Sequence, residues 1–366
     1  MRDERPYRKV GQRNATPAWW RYSRYSDSYG RGLGVDDARA GRASDAVGAP
    51  SAADDDGPVR AGRRPRHPVR LVVIALVALV VGLYAAVCAP VDRAIAFDAP
   101  TASSLRAVLS PNVPLTPSYT LLLGSDAREG DTTSRTDTII LARTDAITNT
   151  VTLVSIPRDT RVDLGAYGTQ KINAAYAYGG AALTVSAVEA LTGVPINQVA
   201  VIDFDGLASL VDAIGGVTVT VPVDVDDPDY TGLVLPAGTY DMDGETALAF
   251  SRVRHGFATG DYQRQQDQQI VIQAIVAKLT HSPTLLPAAA SALGGTLSTT
   301  YRCWSVLPLL GRMAIGTPTM YAASIPSTTA TIDGVSYVLA DDAGVAQMMD
   351  IVEKGGDPST VANGLQ

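Results

Sequence analysis

The 366-residue chain predicts an α/β protein. Apolar, β-rich runs alternate with helical patterns from about residue 118 to 355, and alternation of that kind marks an α/β domain. Helical stretches such as GLASLVDAIGG, from Gly206, end in glycine, which stops a helix. Hydrophobic residues make up 46% and charged residues 18%, enough for a sizeable core and too little charge for a chain that is disordered throughout.

Taken in order, residues 1–70 are rich in Arg, Gly, Asp, Ser and Tyr and lack apolar periodicity. Such a segment buries too little apolar area to offset its ordering entropy, so it reads as a disordered tail. GRGLGV at Gly30 has neither the preceding strand nor the following helix that a nucleotide loop needs. LVVIALVALVVGLYAAVCA then runs from Leu71 to Ala89 without a charge. Nineteen helical residues span about 28 Å, close to the hydrocarbon thickness of a bilayer. Arg63, Arg64, Arg66 and Arg70 precede it, against Asp92 and Arg93 after it, so the positive-inside rule places the N-terminus in the cytoplasm. The tail is too long for the n-region of a cleaved signal peptide, and residues 71–89 read as a signal anchor. Residues 90–117, with Pro100, Pro111, Pro114 and Pro117, read as a stalk, and 356–366 as a flexible end.

Within the outer domain, TLLLG at Thr120, DTIILAR at Asp137, VTLVSIP at Val151, QVAVIDF at Gln198, VTVTVPV at Val217 and TMYAASIP at Thr319 read as strands. AALTVSAVEALTG from Ala181, DGETALAFSR from Asp243, YQRQQDQQIVIQAIVAKL from Tyr262 and DAGVAQMMDIVE from Asp342 read as helices. The two cysteines, Cys88 and Cys303, exclude a disulfide scaffold or a Cys-rich zinc module. One falls in the anchor and one in a soluble helix, so the expectation is two packed thiols.

The net charge of −7 conceals two regimes. Residues 1–70 hold 15 of the 30 basic and 9 of the 37 acidic residues, so the tail is +6 and the remainder −13. An acidic domain argues against general nucleic-acid binding. GSDAREGDTTSRTDT follows the first strand and pairs Asp126 with Arg128, and Arg135 with Asp137, each at i, i+2. That spacing puts both side chains on one side of an extended backbone. Two carboxylates around a polar loop suit Mg²⁺, which completes its shell with water and phosphate oxygens, while arginines bind phosphate bidentately. From these residues alone, a solvated loop with exposed ion pairs is the alternative. In SIPRDTRV, Arg158 follows an apolar strand and a proline, a usual site position in open α/β sheets, with structural pairing to Asp159 as its alternative. Lys171 in KINAAYAYGG alone reads as a surface residue. In AFSRVRHGFATGDYQRQQDQQ, Arg252 and Arg254 are i, i+2, Asp261 can cap the next helix, and Arg264 and Gln268 share a helical face. The alternative is a solvated helix face with an N-cap. Among familiar catalytic motifs, no GxSxG elbow, Walker loop, CxxC or HExxH is present, and three histidines supply little for a His-based metal site or triad.

GSDAR with SRTDT, SIPRDT, KINAAYAYGG, VIDFDG with DAIGGVTV, and DGETALAFSRVR with GDYQRQQDQQ stand in this order. Together, over about residues 118–280, they resemble the LytR-CpsA-Psr family of bacterial cell-wall ligases. The resemblance implies a single α/β/α sandwich with a central mixed sheet and an apolar cleft for a lipid chain. It implies a phosphotransferase that moves a wall glycopolymer from a polyprenyl-pyrophosphate carrier to peptidoglycan through a phosphodiester. By matching positions, Asp126 and Asp137 are implied as Mg²⁺ ligands, and Arg158, Arg252, Arg254, Arg264 and Gln268 as pyrophosphate-binding groups. Arg128, Arg135 and Lys171 are implied as further phosphate contacts, and Asp261 as the general base. The partners are then the lipid-linked glycan, peptidoglycan and the membrane, without nucleic acid, and the location is the cell membrane with the catalytic domain outside. Asp267 stands where the family usually has a second arginine; at i+3 from Arg264 it can pair with it. Transfer to a surface protein, hydrolysis of the polyprenyl pyrophosphate, and a non-catalytic membrane regulator are the competing readings.

Overall fold

A computed structural model of the protein describes residues 88–113, 115–125, 136–254, 261–302 and 316–362, together with positions 82, 85, 86, 305 and 311. The tail 1–70 and most of the expected anchor 71–89 lie outside the described residues. Among the described residues no helix is long and apolar enough to cross a membrane. Residues 88–94 are helical. Cys88 is buried and disulfide-bonded, which corrects the expectation of two unpaired thiols; the chain's other cysteine, Cys303, lies outside the described residues. A lasting disulfide belongs to an oxidising compartment.

Strands β1 (Ser118–Ser125), β2 (Thr136–Asp145) and β3 (Thr150–Ser155) form an antiparallel meander. Its β2–β3 turn is closed by Asn149 at φ 54°, a left-handed position that asparagine tolerates. β6 (Gln198–Asp203) adds to β1 in parallel, β11 (Leu297–Thr299) to β6 antiparallel, and β12 (Thr319–Ser324) to β3 in parallel. The result is a six-stranded mixed sheet in the order β11-β6-β1-β2-β3-β12. Every residue of β3 is buried, as expected of a strand covered on both faces.

Helices α1 (Ala99–Val108) and α2 (Ala174–Thr192) lie on one face of the sheet. Leu105 of α1 is 0% exposed and packs with Leu121, Val154, Val185 and Val188, burial worth roughly 1.5–3 kcal/mol for such a side chain. A helix thus occupies part of the stretch read as a stalk. The opposite face of β2 and β3 is covered by Ile272 of a long helix, so the sheet sits between helical layers, as the sandwich expectation requires. A second core gathers around α3 (Phe204–Ala213), the hairpin of β7 (Val217–Val221) and β10 (Gly238–Met242), the intervening hairpin of β8 (Val225–Asp227) and β9 (Leu233–Leu235), and α4 (Gly244–Phe250). The long helix is α5 (Asp261–His281), and a short α6 (Leu286–Ala292) follows it. Near the C-terminal end, α7 (Asp342–Glu353) buries Met348 and Val352 beside α2.

Two small hairpins carry what the sequence patterns did not reveal. β4 (Arg161–Asp163) pairs with β5 (Thr169–Lys171), and β13 (Ser327–Ile332) with β14 (Val335–Ala340). These strands are too short, or too polar, to show period-2 burial.

Candidate functional site

Both β1 and β3 run toward one edge of the sheet and end there at Ser125 and Ser155. β2 is antiparallel to both, so its beginning, Thr136 and Asp137, lies at that same edge. Close approach of β1 and β2 there depends on Gly124, where a Cβ would stand 2.8 Å from Thr138 Cβ. After β3 the chain turns at Pro157–Thr160, held by Thr160 N–H to the Pro157 carbonyl at 3.0 Å and by the Thr160 hydroxyl to the same oxygen at 2.6 Å. Arg158 and Asp159 occupy the two central positions of this turn, so their side chains diverge from its corner.

Arg158 reaches back to β2 and donates from Nη1 to Asp137 Oδ1 at 2.5 Å. Asp159 instead pairs with Lys171, Nζ to Oδ1 at 3.0 Å. The alternative of an Arg158–Asp159 pair is therefore replaced by two crossed pairs, each joining separate segments. Lys171 ends β5, and Asn173 N–H donates to the Arg158 carbonyl at 3.1 Å, so the turn and the start of α2 are stitched together.

Two more arginines meet Asp137. Arg254 Nη2 lies 3.8 Å from Asp137 Oδ2, and Arg264 Nη2 donates to the Asp137 backbone carbonyl at 3.2 Å. Arg158, Arg254, Arg264 and Asp137 thus converge from three separate stretches of chain. Arg252 is exposed. Gln268 turns to the end of α4 and donates to the Ser251 carbonyl at 3.3 Å; in this conformation it supports the site from beneath. Asp126, Arg128 and Arg135 lie outside the described residues, and Asp261 opens α5 with its side chain likewise outside them.

The polar start of α5 is not a solvated face. Arg264, Gln265, Asp267, Gln268 and Gln269 are all buried. Gln269 donates to the Ser155 hydroxyl at 2.7 Å and to the Ala323 carbonyl at 2.9 Å, and Gln265 accepts from Ser324 at 3.1 Å. These glutamines tie the helix to the ends of β3 and β12. Helical spacing alone does not reveal them, because a QRQQDQQ run shows no apolar stripe. Asp267, at 1% exposure, accepts from Gln263 at 3.0 Å rather than pairing with Arg264. Its Oδ2 has no partner among the described residues, and burial pushes its carboxyl up to about 7.

Among the described residues no group of three or more His, Cys, Asp or Glu is placed to hold a metal. One carboxylate in reach of phosphate oxygens is nevertheless a sufficient protein donor set for Mg²⁺, which keeps water on its other positions. Two arginines engage Asp137 through single contacts, and a carboxylate offers about four lone-pair directions, so the residues present fit such an ion.

An α/β sheet edge where arginines converge on a carboxylate, backed by a buried polar helix, has the chemistry to receive an oxyanion at the strand ends. Over residues 98–354 the chain matches the sequence profile of the LytR_cpsA_psr family. The chain belongs to this family. It is 40% identical over 166 residues to the "Polyisoprenyl-teichoic acid--peptidoglycan teichoic acid transferase TagU" of Enterococcus faecalis, covering 44% of this chain and 54% of that one. The chain therefore spans about half the length of the curated relative it matches. Among solved structures it is similar to the Lin1025 protein of Listeria innocua, at 30% identity and TM-score 0.54, covering 66% of this chain and 99% of that one. It is also similar to the structure described as "TagT bound to LI-WTA", at 28% identity and TM-score 0.54, covering 67% and 90%.

Proposed function

We propose that the protein is a membrane-anchored phosphotransferase that moves a glycopolymer from a polyprenyl-pyrophosphate carrier to peptidoglycan. The observation that carries this reading is the convergence of Arg158, Arg254 and Arg264 on Asp137 in a chain whose portion after residue 70 is net −13. Cationic forks gathered at one point in an acidic chain fit a compact, doubly charged phosphate group. The names of the relatives support the substrate class.

In the proposed step an acceptor hydroxyl oxygen attacks the phosphorus that carries the glycan. A new P–O bond forms, the bond to the bridging oxygen breaks, and its electron pair leaves with the polyprenyl phosphate. Arg158 and Arg254 stabilise the charge that grows on the phosphoryl and bridging oxygens, because they are fixed before the reaction begins. Asp261 is assigned to take the hydroxyl proton. Mg²⁺, held by Asp137 and Asp126, would supply further charge neutralisation of the pyrophosphate. Arg128, Arg135, Lys171, Arg252 and Gln268 complete the proposed anion site. The anchor at 71–89 places this chemistry outside the cytoplasm, where no ATP is at hand and the pyrophosphate linkage supplies the driving force.

The test is reconstitution of the full chain in nanodiscs with a polyprenyl-pyrophosphate glycan, peptidoglycan and Mg²⁺. Phosphodiester-linked product that disappears in Arg158→Ala supports the proposal. Release of free glycan phosphate in place of product would favour hydrolysis, product only on protein would favour the protein acceptor, and no turnover of any kind would favour a regulator.

A further inference from the structure

Beside the arginine site lies an aromatic surface to which the transfer reading gives no role. Tyr167, at the tip of the β4–β5 hairpin, and Tyr178, early in α2, stack with ring centroids 4.8 Å apart and planes 9° from parallel. They are 47% and 46% exposed. Large exposed aromatics held in a fixed pair need an explanation beyond chance, since burial would stabilise them more.

The pair is built by a break in α2. Gly179 and Gly180 leave the helical region inside the helix, with Gly180 at φ 61°. A Cβ on Gly179 would stand 2.6 Å from Leu183 Cβ, so both glycines are required. Beside the break, the Tyr167 hydroxyl donates to the Tyr178 carbonyl at 3.2 Å. That bond and the stack fix both rings before any ligand arrives. The rim is polar: Gln170 donates to the Tyr167 carbonyl at 3.5 Å and Asp163 caps the Gly165 N–H at 2.9 Å.

The hairpin and α2 both lead away from the turn that carries Arg158. Lys171, paired with Asp159, ends the hairpin, and α2 starts three residues later at Ala174. Lys171 Nζ and the Arg161 guanidinium both sit 5.9 Å from the centre of the Tyr337 ring. At 1.5 Å per helical residue, Tyr178 lies about 8 Å beyond Asn173, and Asn173 is bonded to the Arg158 backbone.

We infer that the Tyr167–Tyr178 pair is a platform for a pyranose ring of the glycan whose phosphate is held at Arg158 and Lys171, or of the glycan that accepts it. An aromatic face is electron-rich, and the C–H groups on one face of a pyranose carry the complementary partial charge, while its hydroxyls need the polar rim. Parallel rings in mutual contact leave no cage for a quaternary ammonium, and the polar rim does not suit a membrane-inserted patch. Binding of a sugar stands on the rings alone; which glycan it is rests on the transfer reading.

The test uses the full chain in nanodiscs with two probes: a soluble peptidoglycan tetrasaccharide, and a short-chain polyprenyl-pyrophosphoryl N-acetylhexosamine. Tyr167→Ala and Tyr178→Ala each weaken binding of at least one probe by about tenfold or more, the size of a single stacking contact. Tyr167→Phe, which keeps the ring, stays within about threefold. Saturation-transfer NMR places the ring C–H protons of the bound sugar against the protein. Loss for the tetrasaccharide assigns the platform to the acceptor, and loss for the lipid-linked probe to the donor. Unchanged binding of both probes in both alanine variants overturns the platform, as does loss of binding to anionic vesicles alone, which would make this a membrane-docking surface. Transfer by the wild type with unaltered Tyr variants sinks the platform and leaves the function standing. Sugar binding that falls in the Tyr variants of a wild type without transfer does the reverse.

Discussion

Asp137, at the start of β2, and Arg158, in the turn after β3, are joined at 2.5 Å across a separation of 21 residues, with side chains 20% and 21% exposed. Half-buried at a strand edge, this pair is screened less than a surface pair and remains open to a ligand. It places a fork and a carboxylate together at the proposed pyrophosphate and metal site.

Arg158→Ala lowers transfer on the order of a hundredfold or more, as removal of a preorganised oxyanion donor does, while the domain keeps a single cooperative melt. Arg158→Lys recovers little, because a point charge cannot reproduce a fork. Steady-state transfer rates read beside a melting curve check both; a variant that melts normally and transfers at the wild-type rate removes Arg158 from the site.

Asp137→Ala weakens divalent-ion binding by at least about tenfold. Manganese titrated into the full chain and followed by electron paramagnetic resonance reads this without turnover. An unaltered titration would leave Asp137 as a purely structural anchor for the arginines.

Stability falls as pH rises because of Asp267. Its folded carboxyl is raised to about 7 from 3.8, so the folded state holds a proton that the unfolded state has released. The stability it contributes is fully present below about pH 4 and lost by about pH 7, on the order of 4 kcal/mol at most at 1.4 kcal/mol per pH unit. Asp267→Asn, which cannot ionise, should raise the melting temperature at pH 8 and change little at pH 4. Equal shifts at both pH values would show that the carboxyl does not titrate in this range.

Gly124→Ala destabilises the sheet edge by about 1–3 kcal/mol, the usual cost of overpacking, since its Cβ would meet Thr138 at 2.8 Å. The displacement falls next to Asp137, so phosphate affinity drops with stability. Thermal denaturation and phosphate binding measured on the same preparation separate the two effects.

Cys88→Ser costs about 2–5 kcal/mol, typical of a lost native disulfide, and thermal denaturation under non-reducing conditions reads the loss as a lower midpoint. An unchanged thermal midpoint would make the bond dispensable for the fold.

Much of this was legible in the chain itself. Alternating apolar runs announce strands such as β3 and the helix pattern of α7, because periodicity of burial is written into side-chain order. The order of the GSDAR, SIPRDT, KINAAYAYGG and QRQQDQQ segments identifies the family and singles out Asp137, Arg158, Arg254 and Arg264. Residue spacing did not reveal who pairs with whom. Arg158 had an acidic neighbour at Asp159, yet the turn at Pro157–Thr160 sends the two side chains apart, and antiparallel β2 delivers Asp137 instead. The same limit holds for α5: its glutamines look solvated in one dimension, and only the packing of the helix over the ends of β3 and β12 buries them against Ser155 and Ser324. The Tyr167–Tyr178 stack required a hairpin and a broken helix to meet. Local order determined the elements and the chemistry available to them; contacts between distant segments, which depend on strand direction, turn geometry and burial, decided which groups face one another.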